Sequence, residues 1–312
     1  MDSGIVLALG IAFAASSGVL FYFVPWLSSR VLDQPNSRSS HSAPTPRGGG
    51  VVFVAIPPIV AFGCLGAEFG VIGLLPLLAV PLAAVALADD CFNLPAAPRF
   101  LAQLVTGSVF VWLSPLPFAS WASIFVVISA VAIINFTNFM DGLDGLVASC
   151  LAIALVTAAI QLQAPCSIWA LIGSLSAFLF WNWSPAKVFM GDVGSTFLGS
   201  VFAGMLLQSS NWLQAFGLLL VASPVLGDAF VTVLRRFSSG QPVFQAHKQH
   251  LFQRLNQAGW SHGRVATTYL LATSLLGAAL FAGGLMAVLP LLSLELLAAL
   301  WLEQRVAAPF GQ

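Results

Sequence analysis

Paired acidic side chains stand where a long apolar stretch ends, and their type suits the binding of a cation or of phosphate. Asp89 and Asp90 follow an uninterrupted apolar segment and precede Asn93 and Arg99. A solvated helix end would account for one carboxylate. Two adjacent carboxylates beside so apolar a segment are costly unless they bind a cation or take part in chemistry. We therefore predict a functional role for this pair.

A later apolar segment ends in polar groups that recur every third residue, at Asn135, Asn138, Asp141 and Asp144. Residues three apart on a helix share a face, so Asn138 and Asp141 can converge on one cation. Asn135 and Asp144 would lie about 13 Å apart along a helix axis, too far for one ligand shell. Hard oxygen ligands of this kind suit Mg²⁺, which proteins usually hold through one or two carboxylates plus substrate phosphates.

A third acidic position is Asp192, which lies between Gly191 and Gly194 directly before another apolar segment. Glycine allows close approach of the backbone, and the N-terminus of a helix favours phosphate. Alone, this pattern would be typical of a capped turn. Beside two other acidic loops, it becomes a candidate third arm of a metal site.

Histidines and basic side chains fall in two polar loops. His247 and His250 have a lysine between them, and both can face one phosphate anion. No cysteine or acid completes a zinc set there, so we reject a zinc site. Arg38, His41 and Arg47 precede a triple glycine, a composition that fits either a flexible linker or an anion-binding loop.

Two further ionisable residues fit structural roles. Asp228 lies one or two helical turns before Arg235 and Arg236, so an ion pair with one of them is expected. His262, beside the next apolar segment, is also predicted to be structural.

The elements that carry these loops must be membrane helices. Only 7% of the 312 residues are charged and 59% are hydrophobic, whereas roughly 25% are charged in soluble domains. A bilayer-spanning helix needs about 20 apolar residues, and only helices satisfy every backbone group in lipid without strand partners. Runs without any charge cover residues 3–29, 48–67, 69–88, 100–140, 145–186, 193–227 and 265–294. These features predict an all-α polytopic membrane bundle and exclude a soluble fold, a disulfide scaffold and a disordered chain.

Turn residues and length divide these runs into eleven predicted spans within a single domain, 1–312. The spans lie near 4–27, 51–67, 70–88, 100–114, 120–138, 145–161, 168–182, 195–209, 212–230, 265–282 and 285–302. Alternating spans place all eleven Lys and Arg residues on one face. Because basic residues are retained in the cytoplasm, we predict an outside N-terminus and a cytoplasmic C-terminus. The cytoplasmic loops then lie near 28–50, 89–99, 139–145, 183–195 and 235–264.

Five ordered motifs between about Asp33 and Trp260 resemble those of the polyprenyl-phosphate N-acetylhexosamine-1-phosphate transferases, a family of integral membrane enzymes. They are Asp33-x-Pro-Asn-x-Arg-Ser-Ser-His with Pro-Thr-Pro-Arg47-Gly-Gly, Asp89-Asp90, Asn135-x-x-Asn-x-x-Asp-Gly-x-Asp144-Gly, Phe189-Met-Gly-Asp192-x-Gly-Ser195, and His247-x-x-His250. Each motif is weak alone, but five in this order are specific. The form His-x-x-His-Leu-Phe-Gln-Arg-Leu is more similar to members that initiate O-antigen or other surface polysaccharides than to the muramoyl-pentapeptide translocase, which has three consecutive histidines.

The resemblance implies transfer of a sugar-1-phosphate from a UDP-N-acetylhexosamine to undecaprenyl phosphate, with release of UMP. It places the active site on the cytoplasmic side of a bacterial inner membrane. Asp192 with Asn138 would ligate Mg²⁺, or alternatively Mn²⁺, and Asp89 or Asp90 would act on the acceptor phosphate. The implied catalytic carboxylates are Asp89, Asp90, Asp141 and Asp144, of which the last two shape the nucleotide pocket. The implied substrate- and phosphate-binding residues are Arg38, His41, Arg47, Arg99, His247, His250 and Arg254.

Several alternatives stay open at this point. A muramoyl-pentapeptide-type translocase shares the motifs, and a secondary transporter also has many spans, although transporters place their sites near the bilayer midplane. A CDP-alcohol phosphotransferase is disfavoured because no further aspartates follow the Asp-Gly pairs on the same helix. The donor could carry N-acetylglucosamine, N-acetylfucosamine or N-acetylquinovosamine. Direct attack and an aspartyl intermediate are equally compatible with the sequence. The expected partners are the donor, the lipid acceptor, membrane lipid and, as a hypothesis, a second copy of the chain, but no nucleic acid.

Overall fold

The computed structural model describes residues 3–34, 44–64, 70–243, 245 and 247–311, and these residues are mostly helical. Two residues each form the antiparallel strands β1 and β2, with Leu32 opposite Pro46. The elements are α1 (Ser3–Ser28), β1 (Leu32–Asp33), β2 (Thr45–Pro46), α2 (Val51–Cys64), α3 (Val71–Leu78), α4 (Val80–Phe92), α5 (Ala96–Trp112), a 3₁₀ turn (Ser120–Ala122), α6 (Ser123–Met140), α7 (Leu146–Gln161), α8 (Cys166–Asn182), α9 (Gly191–Leu207), α10 (Trp212–Val221), α11 (Ser223–Ser238), α12 (Leu251–Gln257), α13 (His262–Gly283) and α14 (Leu285–Arg305). Arg38 and His41 lie outside the described residues.

The prediction of an all-α membrane bundle is confirmed. Within the described chain, five helical stretches are long and apolar enough to cross a bilayer, and the pair α10 and α11 adds a sixth if it counts as one broken span. Further apolar helices of 10 to 17 residues coincide with the predicted spans 51–67, 145–161, 168–182 and 195–209. Helix α5 coincides with the predicted span 100–114. The total of eleven spans and their orientation stay predictions.

The segment 212–230, predicted as one span, does not form one straight helix. It is divided at Ala222 into α10 and α11, which are bent by 85° relative to one another. Pro224 stands in the first turn of α11, where its missing N–H costs nothing, and it cannot continue a preceding helix. The bend turns α11 away from α10, so the polar segment that follows does not continue the axis of the span.

Helices α7, α8 and α9 form the centre of the bundle, and most of their residues are buried. Helix α1 packs on α8, while α4 and α6 pack on α9. Small residues allow the close approaches: a methyl group added at Gly173 of α8 would clash with the carbonyl oxygen of Leu9 in α1. Helices in lipid associate through such close contacts because burial of apolar surface provides little drive there.

Candidate active site

The loop before α2 is fastened to the loop before α9 by main-chain hydrogen bonds. Phe189 N donates to Pro46 O (2.8 Å), Gly49 N to Phe189 O (2.9 Å) and Gly50 N to Met190 O (3.0 Å). A methyl group at Gly50 would lie 2.6 Å from the Cα of Gly194. Gly49 and Gly50 of the triple glycine therefore allow a close contact between the two loops. The amides of Gly49 and Gly50 are committed to carbonyls, so they do not form the anion-binding loop that the sequence suggested.

This docking places Arg47 between two carboxylates from different helices. Its Nη2 lies 2.6 Å from Asp90 Oδ1, near the end of α4, and 2.8 Å from Asp192 Oδ1, in the first turn of α9. The Asp90 side chain is only 4% exposed, whereas those of Arg47 and Asp192 keep 33% and 25% of their surface. Arg47 and Asp192 can therefore still meet a ligand, while Asp90 is enclosed.

Asp90 also caps α9. Asp192 N donates to its Oδ1 (3.2 Å) and Val193 N to its Oδ2 (3.1 Å). Gly191 makes this approach possible, because its φ is +76° and an added methyl group would lie 2.7 Å from Asp90 Oδ2. The first amides of α9 are thus occupied by a carboxylate, and the expected phosphate site at this helix N-terminus is not open. Negative charge at this end is also favoured by the helix dipole.

Asp141 is the third carboxylate of this group. It follows α6 directly, is half-buried, and interacts electrostatically with Asp192, Arg47 and Asp90. Burial, reinforced by the negative charge of Asp192, raises the pKa of Asp141 to about 8, although Arg47 opposes the shift. We call Arg47, Asp90, Asp141 and Asp192 the acid cluster. Two carboxylates contact one guanidinium, and the acid Asp141 interacts with all three groups, so additional positive charge would be stabilised here.

The polar residues of α6 divide into two roles. Asn135 exchanges two side-chain hydrogen bonds with Gln103 of α5: Asn135 Nδ2 donates to Gln103 Oε1 (2.8 Å), and Gln103 Nε2 donates to Asn135 Oδ1 (3.3 Å). Asn135 therefore joins two helices. Asn138 is half-buried and precedes Asp141 by about one helical turn.

The oxygen atoms of the acid cluster are of the type that ligates a hard cation. Carboxylate and amide oxygens are the ligands that Mg²⁺ takes, and it usually keeps waters or substrate phosphates in its remaining positions. Among the residues that the structure describes, no group of three or more His, Cys, Asp or Glu side chains is arranged to enclose a metal alone. The carboxylate oxygens of Asp141 and Asp192, with the amide oxygen of Asn138 on the preceding helical turn, are of the chemical type that suits such a cation.

Asp89 faces a different neighbour from Asp90. Arg99 Nη1 donates to its Oδ2 (2.6 Å), and Leu94 N donates to its Oδ1 (2.7 Å). Adjacent residues on a helix point about 100° apart, so one of the pair reaches α9 and the other closes the turn into α5. Arg99, predicted to bind phosphate, therefore uses one of its N–H groups to stabilise this turn.

Asp144 ties the loop after α6 to the start of α13. Its Oδ1 lies 3.0 Å from Nδ1 of His262, and its Oδ2 accepts a hydrogen bond from Ala186 N (3.2 Å). Burial would raise the pKa of Asp144, but the hydrogen bond and charge of His262 outweigh it and lower the pKa. Asn182 acts beside it, because its side chain accepts from Gly145 N and donates to Val188 O. Asn182 was not predicted from the sequence, in which its only signal is an amide at the end of an apolar helix.

The rings of the two histidines in the last polar loop are in contact, with centroids 4.8 Å apart and planes tilted by 33°. His250 is only 2% exposed, while His247 is half-buried and its Nδ1 accepts a hydrogen bond from Gln249 N (3.2 Å). Burial and the neighbouring His250 and Arg236 lower the pKa of His247 to about 4. His247 is therefore neutral at pH 7, and it is the more accessible of the pair.

Arg254 and Asp228 have partners that the sequence did not indicate. Arg254, 5% exposed, donates to Glu303 Oε1 (2.7 Å) and to Ala308 O (2.7 Å), so it fastens the C-terminal segment. The expected pairing of Asp228 with a neighbouring arginine is wrong: Arg235 pairs with Glu303 instead. Asp228 accepts hydrogen bonds from the start of α12. Proximity along α11 did not decide these pairings, because the packing of the helices places α12 beside Asp228 and α14 beside Arg235.

A bundle of apolar helices that collects carboxylates, an arginine and histidines at its helix ends defines an integral membrane protein with a charged site at the border of its apolar core. A family model described as glycosyl transferase family 4 matches residues 72–210. The chain belongs to this family, the polyprenyl-phosphate N-acetylhexosamine-1-phosphate transferases, as its motifs indicated.

Individual relatives agree with this membership. A probable undecaprenyl-phosphate N-acetylglucosaminyl 1-phosphate transferase of Bacillus subtilis is 30% identical over 74% of this chain and 71% of its own length. A decaprenyl-phosphate N-acetylglucosaminephosphotransferase of Mycobacterium tuberculosis is 28% identical over 80% and 76%. A phospho-N-acetylmuramoyl-pentapeptide-transferase of Bacillus mycoides is 28% identical over 86% and 94%.

Proposed function

We propose that the protein transfers N-acetylhexosamine-1-phosphate from a UDP-sugar to undecaprenyl phosphate, releasing UMP and leaving a lipid diphosphate sugar. The acid cluster carries this proposal, because Arg47 and Asp192 remain partly exposed beside an apolar bundle. Such a site suits a reaction between a soluble nucleotide and a phosphate on a lipid. The names of the relatives support the same reaction class. Two of them name a polyprenyl phosphate, and the third names a muramoyl-pentapeptide.

In the direct form of this reaction, one of the two forms compatible with the sequence, an oxygen of the acceptor phosphate attacks the phosphorus that carries the sugar. The bond from that phosphorus to the bridging oxygen breaks, and UMP leaves with the electron pair. Catalysis of such a transfer rests mostly on in-line positioning and on neutralising charge. Arg47 would bind a phosphate oxygen through the donors that Asp90 and Asp192 leave free. Asp90 would act as the enclosed carboxylate that holds Arg47 and the start of α9 together.

The residues that would hold a divalent cation are Asp192 and Asn138, with Asp141 as a further oxygen donor. Mg²⁺ bound there supplies charge neutralisation for the diphosphate. Asp141, whose pKa lies at about 8, holds a proton at neutral pH when no cation is bound. His247 would donate a neutral hydrogen bond to phosphate through its Nε2, since its Nδ1 is an acceptor.

The membrane arrangement is part of the proposal. We place the acid cluster at the cytoplasmic face of a bacterial inner membrane, with eleven spans and an outside N-terminus. The support is that the basic residues of the described chain stand at helix ends and in the polar loops around the site, as retention in the cytoplasm requires. Reaction with a thiol reagent at single cysteines introduced into opposite loops of a cysteine-free variant would test this orientation.

The activity is tested by mixing purified protein with undecaprenyl phosphate, Mg²⁺ and a panel of UDP-sugars, followed by mass spectrometry of the lipid and quantification of UMP. Equal amounts of UMP and lipid diphosphate sugar are expected, with no product in chelator. Asp192→Asn should lose about 100-fold or more in kcat. Asn211→Ala, which removes only the N-terminal cap of α10, serves as the matched control and should retain activity. Flux of a solute across liposomes without UMP release would favour a transporter instead.

The muramoyl-pentapeptide donor is the second candidate, because the Bacillus mycoides relative matches 86% of this chain. We favour an N-acetylhexosamine donor and a role in initiating O-antigen or another surface polysaccharide, since the loop reads His247-Lys-Gln-His250. UDP-N-acetylmuramoyl-pentapeptide therefore belongs in the donor panel. Its selective use over UDP-N-acetylglucosamine, N-acetylfucosamine and N-acetylquinovosamine donors would overturn this choice.

A further inference from the structure

Asp228 of α11 is a buried carboxylate, 5% exposed, that joins three helices. Its oxygens accept hydrogen bonds from Leu251 N (2.8 Å), Phe252 N (3.1 Å), the Tyr269 hydroxyl (2.7 Å) and the Thr232 hydroxyl (3.2 Å). Four donors around one carboxylate offset the cost of burying its charge. The helices that meet at this point are α11, α12 and α13.

The short helix α12 depends on this carboxylate for its placement. The first amides of a helix have no partner within the helix, and Asp228 accepts from two of them. A negative charge also interacts favourably with this end of the helix. His250 stands directly before α12, with its Nδ1 3.8 Å from Asp228 Oδ1 and its ring stacked on Phe252 at 5.6 Å between centroids. The position of the histidine loop is therefore coupled to Asp228.

The same helix packs against the residue that follows Asp141 of the acid cluster. A methyl group added at Gly142, the residue after Asp141, would lie 3.2 Å from the ring of Phe252 and 3.7 Å from Nε2 of Gln253. Helix α12 is thus packed against the turn that carries Asp141. A shift of α12 would be transmitted to this turn and, in the other direction, to His250 and His247.

We propose that Asp228 is a positioning residue for the transfer reaction, which sets the placement of α12 between the histidine loop and the Asp141–Gly142 turn. This inference rests on the proposed function. Asp228 does not touch the reacting atoms, and it acts through Phe252 and His250. Its contribution is to keep the phosphate-binding histidine and the acid cluster in one geometry, to which transfer rates are sensitive.

The test compares Asp228→Asn with Tyr269→Phe and with the control Asn211→Ala. Asp228→Asn keeps the size of the side chain, but it replaces one of the two accepting oxygens with an NH2 group. That group then faces hydrogen-bond donors from which it cannot accept. We expect its kcat to fall by about tenfold or more at saturating substrates. Tyr269→Phe, which loses one donor of four, should fall by about two- to fivefold. Hydrogen exchange of the α12 amides should quicken in the same order, with Asn211→Ala like the wild type in both measurements.

The outcomes separate this inference from the proposed function. Suppose that the wild type is active and that Asp228→Asn shows faster exchange in α12. If the kcat and KM of Asp228→Asn then lie within twofold of the wild-type values, the positioning role alone is overturned. Absence of product from the wild type on the whole donor panel would overturn both. If Asp228→Asn does not fold, Tyr269→Phe and Thr232→Val replace it, and full activity in both with faster exchange in α12 contradicts the inference.

Discussion

Nη2 of Arg47 lies 2.6 Å from Oδ1 of Asp90, and this contact joins the loop before α2 to the end of α4. The same nitrogen reaches Asp192 at 2.8 Å, so one side chain links three separate parts of the chain. Arg47 is thus the cation on which the arrangement of the carboxylates depends in the described structure. Its removal would leave Asp90 and Asp192 without their shared cationic partner and exposed to mutual repulsion.

Arg47→Gln should lower the stability of the protein by about 2 kcal/mol, because it leaves the enclosed Asp90 without its cationic partner. This loss is smaller than for a fully buried ion pair, since the Arg47 side chain is 33% exposed. Thermal unfolding in detergent measures this loss. Mg²⁺ should raise the melting temperature of Arg47→Gln more than that of the wild type, since the cation can replace the missing charge. An equal effect of Mg²⁺ on both proteins would argue against a cation site at the acid cluster.

Gly191→Ala should lower both stability and turnover. The substitution imposes a φ of +76° on a residue with a side chain, at a cost of about 1–2 kcal/mol, and its methyl group would displace the Asp90 carboxylate from the start of α9. Gly10→Ala in α1 is the control, because a methyl group there meets open space and alanine favours helix. Comparable losses in the two variants, measured by unfolding and by UMP release, would show that the contact between Gly191 and Asp90 is not the cause.

The contribution of Asp141 to the stability of the metal-free protein should fall as the pH rises from about 4 to about 8. Asp141 has a pKa of about 8 in the folded protein against an ordinary value of 3.8, so the folded state holds a proton over this interval that the unfolded state has lost. Asp141→Asn removes the titrating group and should flatten this part of the curve. Melting temperatures of the two proteins at several pH values, in chelator, provide the test, and parallel curves would contradict the shifted pKa.

Glu303→Gln should destabilise the protein by about 3 kcal/mol, because it leaves the buried Arg254 without its carboxylate partner. Arg235 also pairs with Glu303, but its side chain is 37% exposed. Arg235→Ala should therefore cost only about 1 kcal/mol or less, which makes it the matched comparison. Unfolding measurements that give the same loss for both variants would show that burial of Arg254 does not decide the effect.

The helices could be predicted from the sequence because hydropathy is a local property. Each predicted apolar span coincides with an observed helix or with a pair of neighbouring helices, and the acidic motifs stand at their ends. The break at Ala222 escaped this reasoning: Pro224 permits a bend there, but hydropathy alone carries no information about the direction of a helix axis.

The partners of the charged residues were decided by packing between distant segments. Sequence placed Asp89 and Asp90 together, yet one meets Arg99 and the other meets Arg47 and the start of α9. Asp228 was expected to pair within its own helix and instead holds α12. The sequence by itself determined which charged side chains stand at the ends of apolar helices, because the cost of burying charge in lipid acts on each segment separately. Only the tertiary structure decided which of them meet, because a salt bridge depends on distances that the docking of whole helices sets.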